Sequence, residues 1–249
     1  MDLGLRESVH VVTGGSRGLG FASASQLVAE GAQVVISGRD ADVIDKAVER
    51  LGRDRALGVV ADNGHPDTPD RLTSAALSRF GRLDGMILST GGPPTGKAFQ
   101  VGDQVWRDSF ESVFLGALRM AKAGAENFHD GGAVLFVLST SARVPIQELD
   151  ISNGLRPGLA MVAKALAEEL GPRGIRVNGV LPGKIATDRM RHFDASVTDG
   201  GRRLLDGVPL GRPGLPEEFG RVAAFLQSPA ASYLTGAMIP VDGGMLRAL

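Results

Sequence analysis

The sequence predicts an α/β fold in which helices wind over both faces of one parallel sheet. Two observations carry this prediction. Short apolar runs alternate with longer segments of helical periodicity along all 249 residues. Most of these runs are unbroken β-branched and aliphatic stretches, as in strands buried on both faces. Because no linker, low-complexity tract or internal repeat divides the chain, we expect a single domain over residues 1–249.

Seven runs are candidate strands, at residues 8–13, 33–37, 56–60, 84–89, 133–139, 175–181 and 237–241. Helical patterns lie near residues 18–30, 40–51, 67–80, 103–128, 152–171 and 216–227. The fifth helix carries one apolar face at helical spacing, made of Leu155, Leu159, Val162, Leu166 and Leu170. Residues 186–215 form the only long irregular stretch, for which we predict the role of a substrate lid.

Composition narrows the function classes. Hydrophobic residues make up 43% of the chain and charged residues 22%, which is ordinary for a globular protein. A net charge of −1 gives no general attraction to nucleic acid or to an anionic membrane. The absence of cysteine excludes disulfides and thiolate metal sites. With neither a signal-peptide pattern at the start nor an 18-residue apolar run, we expect a cytoplasmic protein.

The first candidate strand leads through TGGSRGLG, residues 13–20, directly into a helix. Gly14 permits the tight turn, Gly18 lets the backbone approach a phosphate, and Gly20 lets helix and strand pack closely. The helix N-terminus then offers free N–H groups and a positive dipole end to a pyrophosphate. This strand–turn–helix context favours dinucleotide binding over a glycine-rich turn without a ligand.

The end of the second strand indicates which dinucleotide binds. A carboxylate there would accept hydrogen bonds from the ribose 2′-hydroxyl, whereas an arginine pairs with a 2′-phosphate. Arg39 holds this position, and Arg17 in the glycine loop adds a second cation. The alternative is that both are solvated surface charges. We predict a preference for NADP(H) over NAD(H), with Asp62 accepting a bond from the adenine amino group.

The motifs TGGSRGLG, GRD, PRGIRVN, LPGKIATDRM and YLTGAMIPVDGG together resemble those of the short-chain dehydrogenase/reductase family, including its 3-oxoacyl-(acyl carrier protein) reductase-like members. The resemblance spans essentially the whole chain. It implies a seven-stranded Rossmann fold, nicotinamide chemistry on carbonyls or alcohols, and a homotetramer or dimer whose interface includes VDGG and the strand before it. It also implies cofactor contacts from Gly14, Ser16, Arg17, Gly18, Leu19, Gly20, Arg39, Asp62, Asn63, Gly91, Pro182, Gly183, Ile185 and Thr187.

The family's catalytic group is Asn, Ser, Tyr and Lys, with Tyr and Lys four residues apart. Counting back from Asn178 at the family's spacing places Ser152 at the tyrosine position and Arg156 at the lysine position. The family's serine then falls on Ser139 without a gap. A rival register, which pairs Ala160 with Lys164, spoils both spacings.

Two further signatures depart from the family. Its Asn-Asn-Ala-Gly turn after the fourth strand reads LSTG here, so that only Gly91 is kept. Its helix asparagine, counted from Trp106, falls on Val113. Ser139 is therefore the one catalytic position retained. The sequence therefore keeps the family's nucleotide-binding motifs but lacks its catalytic tyrosine and lysine.

Carbonyl reduction needs a hydride and a proton or strong hydrogen bond at the oxygen. A serine hydroxyl is shorter and far less acidic than a tyrosine, so Ser152 does not replace it directly. Arg156 can hold ribose hydroxyls but does not release a proton near neutrality. Our hypothesis is that Ser139 orients the substrate oxygen, that water supplies protons, and that Lys97 or Lys184 helps electrostatically. The contrasting hypothesis is a catalytically silent dinucleotide-binding protein that acts as a sensor or partner subunit.

Several look-alike motifs fail. GGSRG fits a nucleophile elbow at Ser16, but no acid–histidine pair follows it at a marked position. GGPPTGKA, residues 91–98, fits a P-loop, but Ala98 lacks the magnesium-binding hydroxyl and two prolines remove N–H donors; a stiff loop over the substrate pocket fits better. The four histidines show no metal-ligand spacing. Within residues 186–215, four aspartates (Asp188, Asp194, Asp199 and Asp206) offset four arginines (Arg189, Arg191, Arg202 and Arg203), which favours a solvated surface over an anion site.

Overall fold

The computed structural model describes residues 2–129, 131–188, 190 and 207–247. Seven strands form one sheet in the order β3-β2-β1-β4-β5-β6-β7, and every neighbouring pair is parallel. The strands are β1 (Val9–Thr13), β2 (Gln33–Gly38), β3 (Ala56–Val60), β4 (Gly85–Leu88), β5 (Gly132–Val137), β6 (Ile175–Pro182) and β7 (Met238–Val241). The predicted parallel sheet is confirmed, and all seven strands lie within two residues of their predicted positions.

The helices follow the predicted alternation with the strands. They are α1 (Gly18–Ala29), α2 (Ala41–Leu51), α3 (Thr68–Phe80), α4 (Asp103–Ser109), α5 (Gly116–Asn127), α6 (Asp150–Leu170) and α7 (Pro216–Gln227). Short 3₁₀ turns occupy Thr140–Ala142, Gly171–Arg173 and Pro229–Ala231. Within the described residues, no helix is both long and apolar enough to cross a bilayer.

Two apolar layers hold the helices to the sheet. On one face, α1, α2 and α7 pack through residues such as Leu27 and Phe219 against the strands. On the other face, α3, α5 and α6 pack through residues such as Met120 and Leu159 around Phe136 of β5. All five side chains are buried, so each strand in the middle of the sheet is covered on both sides. This arrangement confirms the doubly wound α/β fold.

The predicted helix over residues 103–128 is not uniform. A π-helical segment, Phe110–Leu115, separates α4 from α5. Directly after this turn, Gly116 makes a tight contact, since a Cβ there would lie 2.1 Å from the carbonyl oxygen of Asn63. A side chain at this position would push α5 away from the loop after β3. π-Helical turns of this kind frequently occur beside functional sites.

The apolar face of α6 also differs from the predicted one. Leu155, Leu159 and Leu170 are buried as expected, but Val162 and Leu166 are only half-buried. Ala163, Ala167, Ile151, Ser152 and Arg156 complete the buried face instead. Ala163 and Ala167 pack in the apolar layer between α6 and the sheet. Periodicity alone cannot locate the line along which α6 meets the sheet, because it depends on the tilt of the helix.

Only the two ends of the predicted lid, residues 186–215, fall within the described residues. Ile185 forms an isolated parallel bridge with Gly214, which joins the two ends of this stretch. Arg189, Arg191, Arg202 and Arg203, together with Asp194, Asp199 and Asp206, lie outside the described residues, so the predicted charge balance cannot be followed into the structure.

Candidate cofactor and active site

The predicted site residues converge on one edge of the sheet. Because all strands are parallel, their carboxyl ends meet there, at the crevice where the strand order reverses between β1 and β4. The segments that follow the strands supply the site. They are residues 14–20 after β1, Arg39 after β2, Asp62 and Asn63 after β3, Gly91 after β4, Ser139 after β5, and Pro182, Gly183, Ile185 and Thr187 at the end of β6 and beyond.

The loop after β1 is packed too closely for side chains. Gly14 has φ +57°, and a Cβ there would lie 2.4 Å from the carbonyl oxygen of Ser89. A Cβ on Gly20 would lie 2.2 Å from the carbonyl oxygen of Gly14. The N–H of Gly15 donates to the carbonyl oxygen of Ser37 at 2.9 Å. The loop is therefore pinned between the ends of β2 and β4, which fixes the position of the first turn of α1.

The N-terminus of α1 is open to an anion. Arg17 is the N-cap residue, with extended backbone angles, and its side chain does not cap the helix. The first turn contains no acidic residue. The N–H groups of Gly18, Leu19 and Gly20 have no intrahelical acceptor, since they belong to the first turn. Their orientation and the helix dipole fit a phosphate group. Thr187 lies above this turn, with its Cγ2 3.9 Å from a Cβ placed on Gly18.

Two arginines flank this anion position. Arg17 and Arg39 are exposed, and neither side chain forms a hydrogen bond or ion pair with the described part of the chain. The residues that precede the two arginines, Ser16 and Gly38, are in close contact. The Oγ of Ser16 lies 2.8 Å from a Cβ placed on Gly38. Asp62 is exposed, and one carboxylate oxygen accepts from the N–H of Gly64 at 2.8 Å. Its second oxygen is left for a ligand amino group.

Ser139 and Ser152 are joined through a third serine that the sequence analysis missed. The Oγ atoms of Ser141 and Ser152 lie 2.9 Å apart, and both residues are buried. The N–H of Ser141 donates to the Oγ of Ser139 at 3.1 Å. That bond uses a lone pair of Ser139 and leaves its hydroxyl proton to donate. The run STS after β5 is the sequence signal, but a hydroxyl on alternate residues is too common to be diagnostic.

Arg156 ties three parts of the site together. From α6, its Nη1 donates to the carbonyl oxygen of Val137 and its Nη2 to that of Gly91, both at 2.6 Å. The residue is only 4% exposed. Gly91 has φ +72°, a conformation that turns its carbonyl toward the guanidinium at little cost for glycine. The arginine therefore clamps the ends of β4 and β5 to α6.

The loops that border the expected substrate pocket are connected to each other. The Oδ2 of Asp150 accepts from the N–H of Ala98 at 2.9 Å. The side-chain amide of Asn153 bonds both the N–H and the carbonyl oxygen of Ile146, at 2.9 and 2.8 Å. Lys97 and Glu148 form an exposed ion pair at 3.7 Å. These contacts brace the 91–98 loop against the segment before α6, so Lys97 lies at the rim.

Two other residues supply no proton donor at the proton-handling position. Val113, at the position of the family's asparagine, is 2% exposed and packs in an apolar cluster with Ile151 and Leu155. Tyr233, the chain's one tyrosine, is 103% exposed, and its neighbour Ser232 lines a cavity beside the amino end of β6. It therefore lies toward the edge of the sheet opposite the glycine loop.

The family model described as enoyl-(acyl carrier protein) reductase matches residues 14–246 of the chain. The protein belongs to the short-chain dehydrogenase/reductase family. The chain is 33% identical over 244 residues to an L-rhamnose 1-dehydrogenase (NAD(P)(+)) of Azotobacter vinelandii, covering 94% of this chain and 95% of the relative. It is 32% identical over 245 residues to dehydrogenase/reductase SDR family member 4 of Caenorhabditis elegans, covering 95% and 94%.

Solved structures of the family show the same architecture. The L-sorbose reductase of Gluconobacter frateurii, crystallised with NADPH and L-sorbose, superposes with a TM-score of 0.94. Its sequence is 30% identical, and the match covers 100% of both chains. The family resemblance predicted from the motifs is therefore confirmed over nearly the whole chain, and the protein is a family oxidoreductase.

Proposed function

We propose that the protein is an NADP(H)-dependent oxidoreductase acting on a small carbonyl or alcohol substrate through an atypical active site. The open N-terminus of α1 between Arg17 and Arg39 is the observation that carries the choice of cofactor. Two exposed guanidinium groups flank the glycine loop without partners in the described part of the chain. A 2′-phosphate would satisfy both through charge-assisted hydrogen bonds.

In this proposal the chain's own residues orient the substrate and hold the cleft in shape. The bound nicotinamide supplies or accepts the hydride. Ser139 donates a hydrogen bond to the substrate oxygen, since Ser141 already occupies one of its lone pairs. Ser152 stays turned toward Ser141, so water carries the proton. Arg156 keeps the ends of β4 and β5 in register at the floor of the cleft.

A second candidate is a catalytically silent dinucleotide-binding protein. The hydrogen bonds of Arg156 favour this candidate. At the family's lysine position, this cation donates to two backbone carbonyls instead of facing the cleft alone. The hydroxyls of Ser141 and Ser152 are likewise turned to each other. The observed hydrogen bonds thus hold both groups to other parts of the protein, whereas hydride transfer requires a group that stabilises or protonates the alkoxide.

Calorimetry tests the cofactor proposal. NADPH should bind at least about tenfold more tightly than NADH, because a charge-assisted arginine–phosphate bond is worth about 1.5–3 kcal/mol. Arg39→Gln should remove this difference. Arg107→Gln, which removes an exposed arginine of α4, is the matched control and should retain it. Equal affinities of the unmodified protein for NADH and NADPH would contradict the proposal.

Stopped-flow absorbance separates the two candidates. NADPH-loaded protein is mixed with a panel of ketones, aldehydes and ketoses, and the loss of reduced-nicotinamide absorbance is followed. Turnover that Ser139→Ala abolishes supports the oxidoreductase. Tight NADPH binding with no oxidation across the panel supports the silent protein.

We further propose that the chain assembles with copies of itself as a dimer or tetramer. Two large apolar side chains, Phe110 and Met161, are 41% and 69% exposed on neighbouring helical elements. β7 is an edge strand whose backbone ladder is open on one side. Light scattering should give a mass above that of one chain, 25.9 kDa. Met161→Glu should reduce the mass if this face is buried between copies.

A further inference from the structure

Apart from the nucleotide site, a polar cavity lies at the edge of the sheet opposite the glycine loop. It has a volume of about 290 Å³ and is bordered by the amino ends of β1, β4, β5 and β6. Arg6, Arg82, Arg176, Asp84 and His10 are among the residues that line it. The strands that separate it from the nucleotide site run in one direction, so the length of a strand lies between the two sites. Nothing in the proposed reaction uses these groups.

Among the described residues, Asp84 is the one carboxylate that lines the cavity, and it is already paired. Arg82 donates from Nε and Nη2 to the two carboxylate oxygens of Asp84, at 2.8 and 2.7 Å. The N–H of Val9 donates to the same carboxylate at 2.8 Å. Asp84 therefore has an arginine and a backbone donor of its own. The other two arginines of the wall are left without a negative partner from it.

Arg176 is the most buried of the three arginines that line the cavity. Its Nη1 and Nη2 donate to the carbonyl oxygens of Leu226 and Ser228, at 2.8 and 3.1 Å, at the end of α7. A guanidinium has five N–H groups, so three remain beyond these two bonds within the described part of the chain. Burial lowers the pKa of Arg176, since the guanidinium loses water without gaining a carboxylate.

Arg6 supplies a second cation to the same cavity. Its side chain is exposed and forms no hydrogen bond or ion pair with the described residues. The stem of the side chain lies against Gly31, with Cγ 3.7 Å from a Cβ placed on that glycine. With the Arg82–Asp84 pair set aside, the described residues of the wall carry a net charge of +2, from Arg6 and Arg176. Such a wall favours an anion with several acceptor oxygens.

We propose that this cavity binds a small oxyanion, either free phosphate or the phosphate group of a small metabolite, between Arg6 and Arg176. A volume of about 290 Å³ equals roughly ten waters, enough for a phosphate and a few carbon atoms. Both sources present the same tetrahedral oxygens to the guanidinium groups. This binding is independent of the nucleotide and of the proposed reaction.

The test follows the ring signals of ¹³C-labelled histidine in the full chain, with NADPH present to fill the nucleotide site. His10 lines the cavity, whereas His65 lies in the exposed loop after β3 and serves as an internal reference. Inorganic phosphate and glycerol 3-phosphate are titrated separately against sodium chloride of equal ionic strength. A saturable shift of His10, absent for His65 and for sodium chloride, is expected with phosphate, with glycerol 3-phosphate or with both. A tighter response to glycerol 3-phosphate identifies a phosphate ester as the ligand.

Variants locate the binding. Arg6→Gln should weaken it about tenfold, as expected for one lost charge-assisted contact, and it removes no contact that holds the fold. Arg176→Gln should abolish it, whereas Arg107→Gln should leave it unchanged. The proposal is overturned if neither probe shifts His10 beyond the effect of sodium chloride. It is equally overturned if Arg6→Gln binds as tightly as the unmodified protein, or if Arg39→Gln abolishes the shift.

Discussion

At the scale of single residues, Gly20 is where one added methyl group should do most damage to the nucleotide site. A Cβ added to Gly20 would lie 2.2 Å from the carbonyl oxygen of Gly14, which is closer than the two atoms can approach. In Gly20→Ala the loop must move away from α1, so the first-turn N–H groups no longer converge on a phosphate. We predict a loss of NADPH affinity of at least about tenfold, measured by calorimetry.

Gly102→Ala is the matched control for this change. Gly102 has φ −70°, and no atom lies within 4 Å of a Cβ placed there. The control should keep its affinity. If both variants bind NADPH as the unmodified protein does, the close packing of the loop is not what shapes the site.

The hydroxyl pair of Ser141 and Ser152 also makes its prediction at this scale. In Ser141→Ala, the buried Oγ of Ser152 loses its partner, which should cost about 1–3 kcal/mol of unfolding free energy. The double variant Ser141→Ala/Ser152→Ala removes both hydroxyls and should cost less than the sum of the single changes. Urea denaturation of the four proteins measures this coupling, and strictly additive costs would show that the two hydroxyls do not interact.

At the scale of elements, Arg156 joins α6 to the ends of β4 and β5. Arg156→Met keeps much of the buried stem but leaves the carbonyls of Val137 and Gly91 without this donor. We predict a loss of about 3 kcal/mol in unfolding free energy, which urea denaturation measures. Arg156→Lys should lose less, because one ammonium can reach one of the two carbonyls. Arg107→Met, on the exposed side of α4, should change stability by less than about 0.5 kcal/mol.

The elements themselves were readable from the sequence, because a strand covered on both faces must be apolar throughout. β1, Val9–Thr13, is buried at every residue and falls within the predicted residues 8–13 for this reason. The π-helical turn at Phe110–Leu115 was not readable from the sequence, nor was the close approach of Gly116 to Asn63, a residue distant in sequence. The geometry of the glycine loop could be predicted, because the positions of its glycines in the sequence indicate it. The partners chosen by Arg156 and Ser141 depend on where α6 docks, which periodicity does not specify.

At the scale of the whole molecule, the sheet separates two polar edges that a central strand connects. β1 carries the glycine loop at its carboxyl end and His10 near its amino end. His10 is buried and bonded on both ring nitrogens, through Nδ1 to the Oε1 of Gln227 at 3.1 Å and through Nε2 to the Oγ of Ser8 at 2.9 Å. A Cβ on Gly85 would lie 2.1 Å from that same Oε1, so the adjacent strand needs glycine there.

The hydrogen bonds around His10 indicate which ring nitrogen carries the proton when the ring is neutral. The Nε2 of Gln227 donates to the carbonyl oxygen of Met86 at 3.1 Å, so its Oε1 must accept from the ring. Nδ1 therefore carries the proton. Nε2 lies 2.9 Å from the Oγ of Ser8, whose hydroxyl donates to the carbonyl oxygen of Leu5 at 2.6 Å. A protonated ring could donate from Nε2 to that Oγ, so hydrogen bonding alone does not forbid the charged form.

Burial disfavours the charged form of His10, and the unfolding free energy of the protein should depend on pH as a result. Desolvation lowers the pKa of His10 from 6.5 to about 4, against a smaller opposing effect of Asp84. Above pH 6.5 the ring is neutral in both folded and unfolded chains. As the pH falls from 6.5 toward 4, the unfolded chain binds a proton that the folded chain refuses, so unfolding becomes easier. The full difference corresponds to about 3 kcal/mol.

His10→Gln isolates this contribution, since glutamine can hydrogen-bond in the same place but does not titrate. Urea denaturation at pH 7 and at pH 4.5 should show a smaller loss of unfolding free energy for His10→Gln than for the unmodified protein. His65→Gln, which removes an exposed histidine, should behave like the unmodified protein. Identical pH profiles for His10→Gln and the unmodified protein would mean that the ring takes up its proton inside the folded sheet.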